Sequence, residues 1–189
     1  MRRNTRLALD LDPLSLPTNF SVAWVLLFAG EHERVAEQAR KTLELYPDAH
    51  HAYYVLGWVH TAGSRYAETL AAFENAAAIS RDVISLAYLG HAHGRAGQRS
   101  AAQALLEELL DRRAREHVPQ FALALVHTGL GDLDRAFELL EECYAERDSR
   151  LFWLPYVPCF DPLRSDSRYD DLVRRMELPA ERALSRGSR

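Results

Sequence analysis

The chain has 189 residues, 48% of them hydrophobic and 26% charged, with a formal net charge of −4. That balance excludes a disordered chain, which is poor in apolar residues and rich in net charge, and it offers no basic face or stripe for nucleic acid. Arginines gather at the ends, Arg2-Arg3-Asn4-Thr5-Arg6 and Arg182 to Arg189, where solvated termini are the expected reading, and no nucleic acid contact is expected of this chain.

From the start of the chain, the first apolar residues are broken by Asp10 and Asp12, unlike a secretory signal, and a cytoplasmic location is expected. The apolar run from Val22 to Gly30 is nine residues, far below the roughly 20 that a bilayer-spanning helix needs, so no membrane is expected as a partner. Ala8-Leu9-Asp10-Leu11-Asp12-Pro13 matches Leu43-Glu44-Leu45-Tyr46-Pro47, with the prolines one repeat apart. Residues 1–13 are therefore read as the tail of a partial upstream repeat, and the chain as a piece of a longer protein or a natural truncation. The triplet Asn19-Phe20-Ser21 has the letters of a glycosylation acceptor, which a cytoplasmic helix would never present to the transferase.

Four repeats follow. Gly30, Gly63, Gly97 and Gly131 recur at intervals of 33, 34 and 34 residues, each ending a first helix. Starts at Leu16, His50, Val83 and His117 align Val22, Leu56, Leu89 and Leu123, each followed by a small residue: Ala23, Gly57, Gly90 and Ala124. On the second helices a small site holds Val35, Thr69, Ala102 and Ala136, and a large site four residues later holds Ala39, Phe73, Leu106 and Leu140. Such a pattern predicts antiparallel hairpins over 16–49, 50–82, 83–116 and 117–148, each burying its remaining apolar face on its neighbours. Gly30-Glu31-His32, Gly97-Gln98-Arg99 and Gly131-Asp132-Leu133 are the predicted turns. No alternating apolar and polar run is bounded by turn residues, so no β-structure is predicted.

After Asp148 the period fails, and the run from Leu151 to Phe160 is too apolar to be left in water. The expectation is a cap over 149–178, comprising a short helix on the fourth hairpin, a proline-rich turn and a closing helix near Ser167 to Met176, then a flexible tail over 179–189.

Tyr53-x-x-Leu56-Gly57-x-x-His60 followed by Thr69-x-x-x-Phe73, at this period, resembles the tetratricopeptide repeat family. Asp132-Leu133-Asp134-Arg135-Ala136-Phe137, Phe160 to Asp166 and Leu172 to Met176 are similar to the close of C-terminal tetratricopeptide regions of bacterial regulatory proteins, those behind winged-helix, adenylate-cyclase-like or protein-kinase modules. The resemblance implies an all-α, right-handed α-solenoid of about four helix hairpins with a C-terminal capping segment, acting as a non-catalytic, regulatory protein-binding module. In that architecture the first helices line a concave groove. Its expected lining is Phe20, Trp24 and Phe28, then Tyr54 and Trp58, then Tyr88, His91 and Arg95, then Phe121 and Leu125. Family members that clamp acidic tails use several cations there, whereas Arg95 is the one cation in this set. The expected occupant is a peptide or helix of a protein partner; a second copy of the chain, or residues 151–160 folding back, are the alternatives. A second function reading is a sensor that binds a small apolar ligand between repeats, near Trp58 and Tyr88.

No phosphate-binding glycine loop, His-Glu-x-x-His helix or Gly-x-Ser-x-Gly elbow occurs, so neither catalysis nor a cofactor is expected. Glu107-Glu108, Glu141-Glu142 and Asp170-Asp171 are adjacent on helices, point apart and read as solvated faces. His60, His93 and His127 recur at one repeat position; packed helix axes lie roughly 8–10 Å apart, too far for a shared metal, so they read as inter-helix packing residues. Cys143 and Cys159 share no metal or redox spacing and are expected to be free, buried thiols.

Overall fold

The computed structural model describes residue 7 and residues 11–177. Helices α1 (Leu16–Phe28) and α2 (His32–Leu45), α3 (His50–Ala62) and α4 (Tyr66–Ile79), α5 (Val83–Arg95) and α6 (Arg99–Arg112), and α7 (Gln120–Leu130) and α8 (Leu133–Ala145) form four successive hairpins. Two 3-10 helices, Ser149–Trp153 and Pro158–Leu163, and helix α9 (Ser167–Arg175) complete the described chain. No strand occurs among the described residues, so the all-α, hairpin-repeat class read from the sequence is the one observed. The expected tail over 179–189, most of the partial repeat over 1–13 and the terminal arginines lie outside the described residues. Among the described residues no helix is long and apolar enough to cross a membrane.

Local chemistry sets the helix ends. The Ser15 hydroxyl accepts from the Thr18 amide (3.3 Å) at the start of α1, and one Asp82 carboxylate oxygen accepts from the Ile84 and Ser85 amides (both 2.9 Å) at the start of α5; each satisfies amides that the first helical turn leaves bare. The first helix of each hairpin stops at a left-handed residue: Gly30 (φ 73°), Ser64 (54°), Gly97 (77°) and Gly131 (79°). The next amide then reaches back, from Glu31 to the Leu26 carbonyl (3.0 Å), Arg65 to His60 (2.9 Å), Gln98 to His93 (2.9 Å) and Asp132 to His127 (3.0 Å), the closure a left-handed helix cap makes. In the second hairpin the left-handed residue is thus Ser64 and not Gly63, which sits at φ −87°.

The chain divides into two compact units between Arg81 and Asp82. In unit 1, α1 to α4 pack in chain order, each helix on the next. A Cβ on Gly57 would lie 2.2 Å from the Phe73 ring; only glycine lets this large side chain, fully buried, fill the hairpin. Asn19 is also buried. Its amide donates to the Pro13 and Ser15 carbonyls (2.9 and 2.8 Å) and its oxygen accepts from Gln38 of α2 (2.6 Å), which satisfies most of its polar capacity. The glycosylation-like triplet therefore carries a core asparagine.

In unit 2, α7 is the centre, buried without a break from Gln120 to Val126. It packs most extensively on α5, where a Cβ on Gly94 would lie 2.5 Å from the Gly129 carbonyl carbon and one on Gly129 would lie 2.5 Å from the His91 backbone. Two facing glycines bring these helices together. Helix α6 is held more loosely: its buried residues are Ala102 and Leu109, Leu106 at the large site is half-buried, and Leu110 is 46% exposed.

The segment after Asp148 is core. Leu154, Val157, Cys159, Phe160 and Leu163 are fully buried, the first 3-10 helix lying on α8 and the second on α7. Helix α9 buries Tyr169 and Leu172 and rides on α8 in matched seven-residue steps. Arg168 bonds Asp134 (2.8 Å) and lies 4.2 Å over the Phe137 ring, while Arg175 bonds Glu141 and lies 4.7 Å over Tyr144.

Candidate functional site

The first helices carry the residues singled out as a groove, and the two units treat them differently. In unit 1, Phe20, Trp24 and Phe28 follow one another at four-residue steps, which puts them on one face of α1, and all three are half-buried. Two of them rest on α3: Phe20 meets the His51 ring edge-on (5.6 Å, 69°) and Trp24 meets Trp58 at a tilt (5.3 Å, 44°). His50 packs edge-on against Tyr54 at 5.6 Å. Helix α1 has no charged side chain along its 13 residues. What it presents is ring surface.

Tyr54 and Trp58 do not share that exposure. At 5% and 3% exposed they are as buried as Leu56 (9%), which corrects the expectation that they present their rings as groove lining. Both lie beside the ring stack instead, as its support. Large amphipathic rings bury readily when their apolar bodies find contacts.

In unit 2 the expected lining is covered. Tyr88, His91, Phe121 and Leu125 are between 0% and 4% exposed, and only Arg95 is exposed. The expectation of an open aromatic surface in unit 2 is therefore corrected. Two causes are visible: the Gly94–Gly129 approach brings α5 against α7, and Phe160 of the second 3-10 helix packs edge-on against Phe121 (5.1 Å, 64°). Part of the 151–160 segment thus folds onto a first helix.

The histidines take structural positions. His91 Nδ1 lies 3.1 Å from the Leu125 carbonyl and so donates to it. Burial, opposed by this bond and aided by Arg95, lowers its pKa to about 4. His93 Nδ1 pairs with Gln98 (2.6 Å) and His127 Nδ1 with Asp132 (3.0 Å). In both hairpins the ring ties the end of the first helix to the residue that starts the second, which corrects their reading as inter-helix packing groups. His60 is lowered by burial first and then by Arg65. Cys143 and Cys159 are buried thiols outside any disulfide, and burial, reinforced by Asp148 and Glu146, pushes the Cys143 thiol up to about 12. It is therefore a weak nucleophile.

Sequence reasoning missed the polar pair Asn19–Gln38 and the role of Ser64. Only the second had a signal, since the residue after Gly63 stands at the position that glycine occupies in the other three turns. The tetratricopeptide repeat family model matches residues 23–83 and 89–150, more than half of the chain. No curated protein matches it. The matched residues include both supporting rings of α3, the facing glycines of unit 2 and every first-to-second-helix turn, and on that ground the chain belongs to the tetratricopeptide repeat family.

Proposed function

We propose that this chain is a non-catalytic, regulatory protein-interaction module that takes a peptide or helix of its partner on the aromatic row of α1. Tetratricopeptide repeats are in general protein-binding modules, so the question is which surface works. The observation that carries this reading is the contrast between the units: Phe20, Trp24 and Phe28 stay half-buried, while the matching first-helix residues of unit 2 are covered by their own unit. Half-buried rings held on a firm support lose little freedom on binding and make strong anchors. Their four-residue step rises about 6 Å along the helix, the same step at which a partner helix presents its i and i+4 side chains. Because α1 is uncharged, the matching surface is the apolar face of an amphipathic segment and not an acidic tail. The resemblance of residues 132–137, 160–166 and 172–176 to the close of regulatory repeat regions supports the regulatory role.

The test is a photo-crosslinking amino acid placed at Phe28 in one variant and at Leu110 in another, each irradiated in the native cell. A discrete adduct with another protein is expected from position 28 and none from position 110. Adducts at 110 alone would contradict the reading, and an adduct of twice the chain mass would move it to self-association.

A further inference from the structure

We propose that a polar cleft in unit 2 binds a small zwitterionic α-amino acid. The cleft has a volume of about 290 Å³ and is lined by Arg113, Glu116, His117, Val118, Gln120 and Glu146. These residues come from three helix ends: Arg113 follows α6, Gln120 opens α7 and Glu146 closes α8.

Gln120 is the informative residue. It is only 9% exposed, and its Nε2 donates to Glu142 at 2.5 Å. That bond fixes the amide, because the reversed orientation would set its oxygen against a carboxylate. Its Oε1 is thereby left buried with no donor among the described residues. A native structure rarely leaves such an atom unsatisfied, and each case calls for a cause.

The groups around it say what donor would fit. Glu146 lines the same cleft and its side chain has no hydrogen-bond or ion-pair partner among the described residues, and the same holds for the side chains of Arg113 and His117; Glu116 is shared with Arg112 at 3.5 Å. An ammonium group satisfies the Gln120 oxygen and Glu146 together. A carboxylate carried by the same molecule answers Arg113 and His117. The cleft lies at the small end of the ~300–1,000 Å³ range of ligand sites, which suits a single amino acid. Val118 is the one apolar wall, so the ligand's recognition rests on its charged backbone groups. A metal ion is the poorer fit, since among the described residues no three ligand-type side chains converge and an arginine shares the cleft.

Isothermal titration calorimetry on the full chain, with each common amino acid in turn and ammonium acetate as the source of both ions unlinked, tests this. At least one amino acid is expected to bind saturably where ammonium acetate does not. Arg113→Gln and Glu146→Gln should each weaken it by at least about tenfold, as loss of one partner of a charge pair does, while Arg115→Gln, exposed and outside the cleft, leaves it unchanged. Both variants alter exposed side chains and leave the fold intact, which circular dichroism checks. Absence of saturable binding for every amino acid, binding that survives both changes, or an equal response to ammonium acetate overturns the proposal. In each of these cases Gln120 is satisfied by water alone.

Discussion

Ser64 stands alone among the four turn residues in lacking the freedom of glycine, since φ 54° places its Cβ close to its own backbone. Ser64→Gly should raise stability by up to about 1 kcal/mol in chemical denaturation, the relief of left-handed strain being partly offset by added unfolded-chain entropy. Gly97→Ala and Gly131→Ala should lower it by about 1 kcal/mol each, although a Cβ there would meet nothing within 4 Å; the effect is purely conformational. Gly129→Ala, facing backbone at 2.5 Å, should be far worse. His91 adds a pH dependence. Its folded pKa of about 4 lies below the ordinary value of 6.5, so the unfolded chain binds more protons between these values. Stability is therefore full above pH 6.5 and falls as the pH drops towards 4, by on the order of 3 kcal/mol. His91→Gln should flatten that part of the profile in urea titrations at stepped pH; an unchanged slope would assign it to other groups. Three of the four turns were readable because a glycine recurs there at the repeat period; in the second, Gly63 stands one residue before the left-handed Ser64. Burial of His91 was not, because a helix face alone does not say how close the facing helix comes, and here Gly94 and Gly129 decide it.

At the scale of elements, α6 and α7 are neighbours in sequence and opposites in environment. Helix α7 is buried on nearly every side, while α6 buries two residues. Native-state hydrogen exchange should accordingly be slowest in α7 and fastest in α6 among the long helices of unit 2, because local opening follows the contacts that must break. Equal protection of the two would contradict the loose seating of α6. Helix α9 tests a second ranking. Its Arg168–Asp134 contact with α8 is exposed and salt-screened, so Arg168→Ala should have a small effect that fades in high salt. Leu172→Ala removes a fully buried side chain and should lower stability by about 2–5 kcal/mol, measured by denaturant unfolding. Burial of the apolar run after Asp148 was legible, since no solvated loop could carry it. Its docking partner was not, since the same run could lie on either helix of the fourth hairpin, and it does both: one 3-10 helix lies on α8 and the other on α7.

For the molecule as a whole, the repeat period and the small and large packing sites identified the fold class, because a helix hairpin that must be stacked upon leaves the same marks in every copy. The binding surface was only partly legible. Helical spacing correctly groups Phe20, Trp24 and Phe28 on one face, but it cannot distinguish a ring that meets solvent from one, such as Tyr54, Trp58 or Phe121, that the rest of the chain covers. The α1 rings are the surface proposed to hold the partner. Quantitative affinity capture from the native cell, comparing the wild-type chain with Trp24→Ala/Phe28→Ala under conditions where both show the same helical circular dichroism, tests it most directly. Truncating such anchors typically costs about 2 kcal/mol or more, roughly thirtyfold in affinity, so the proteins retained by the wild type should be lost from the variant. Retention of the same proteins in the same amounts by the folded variant would contradict it.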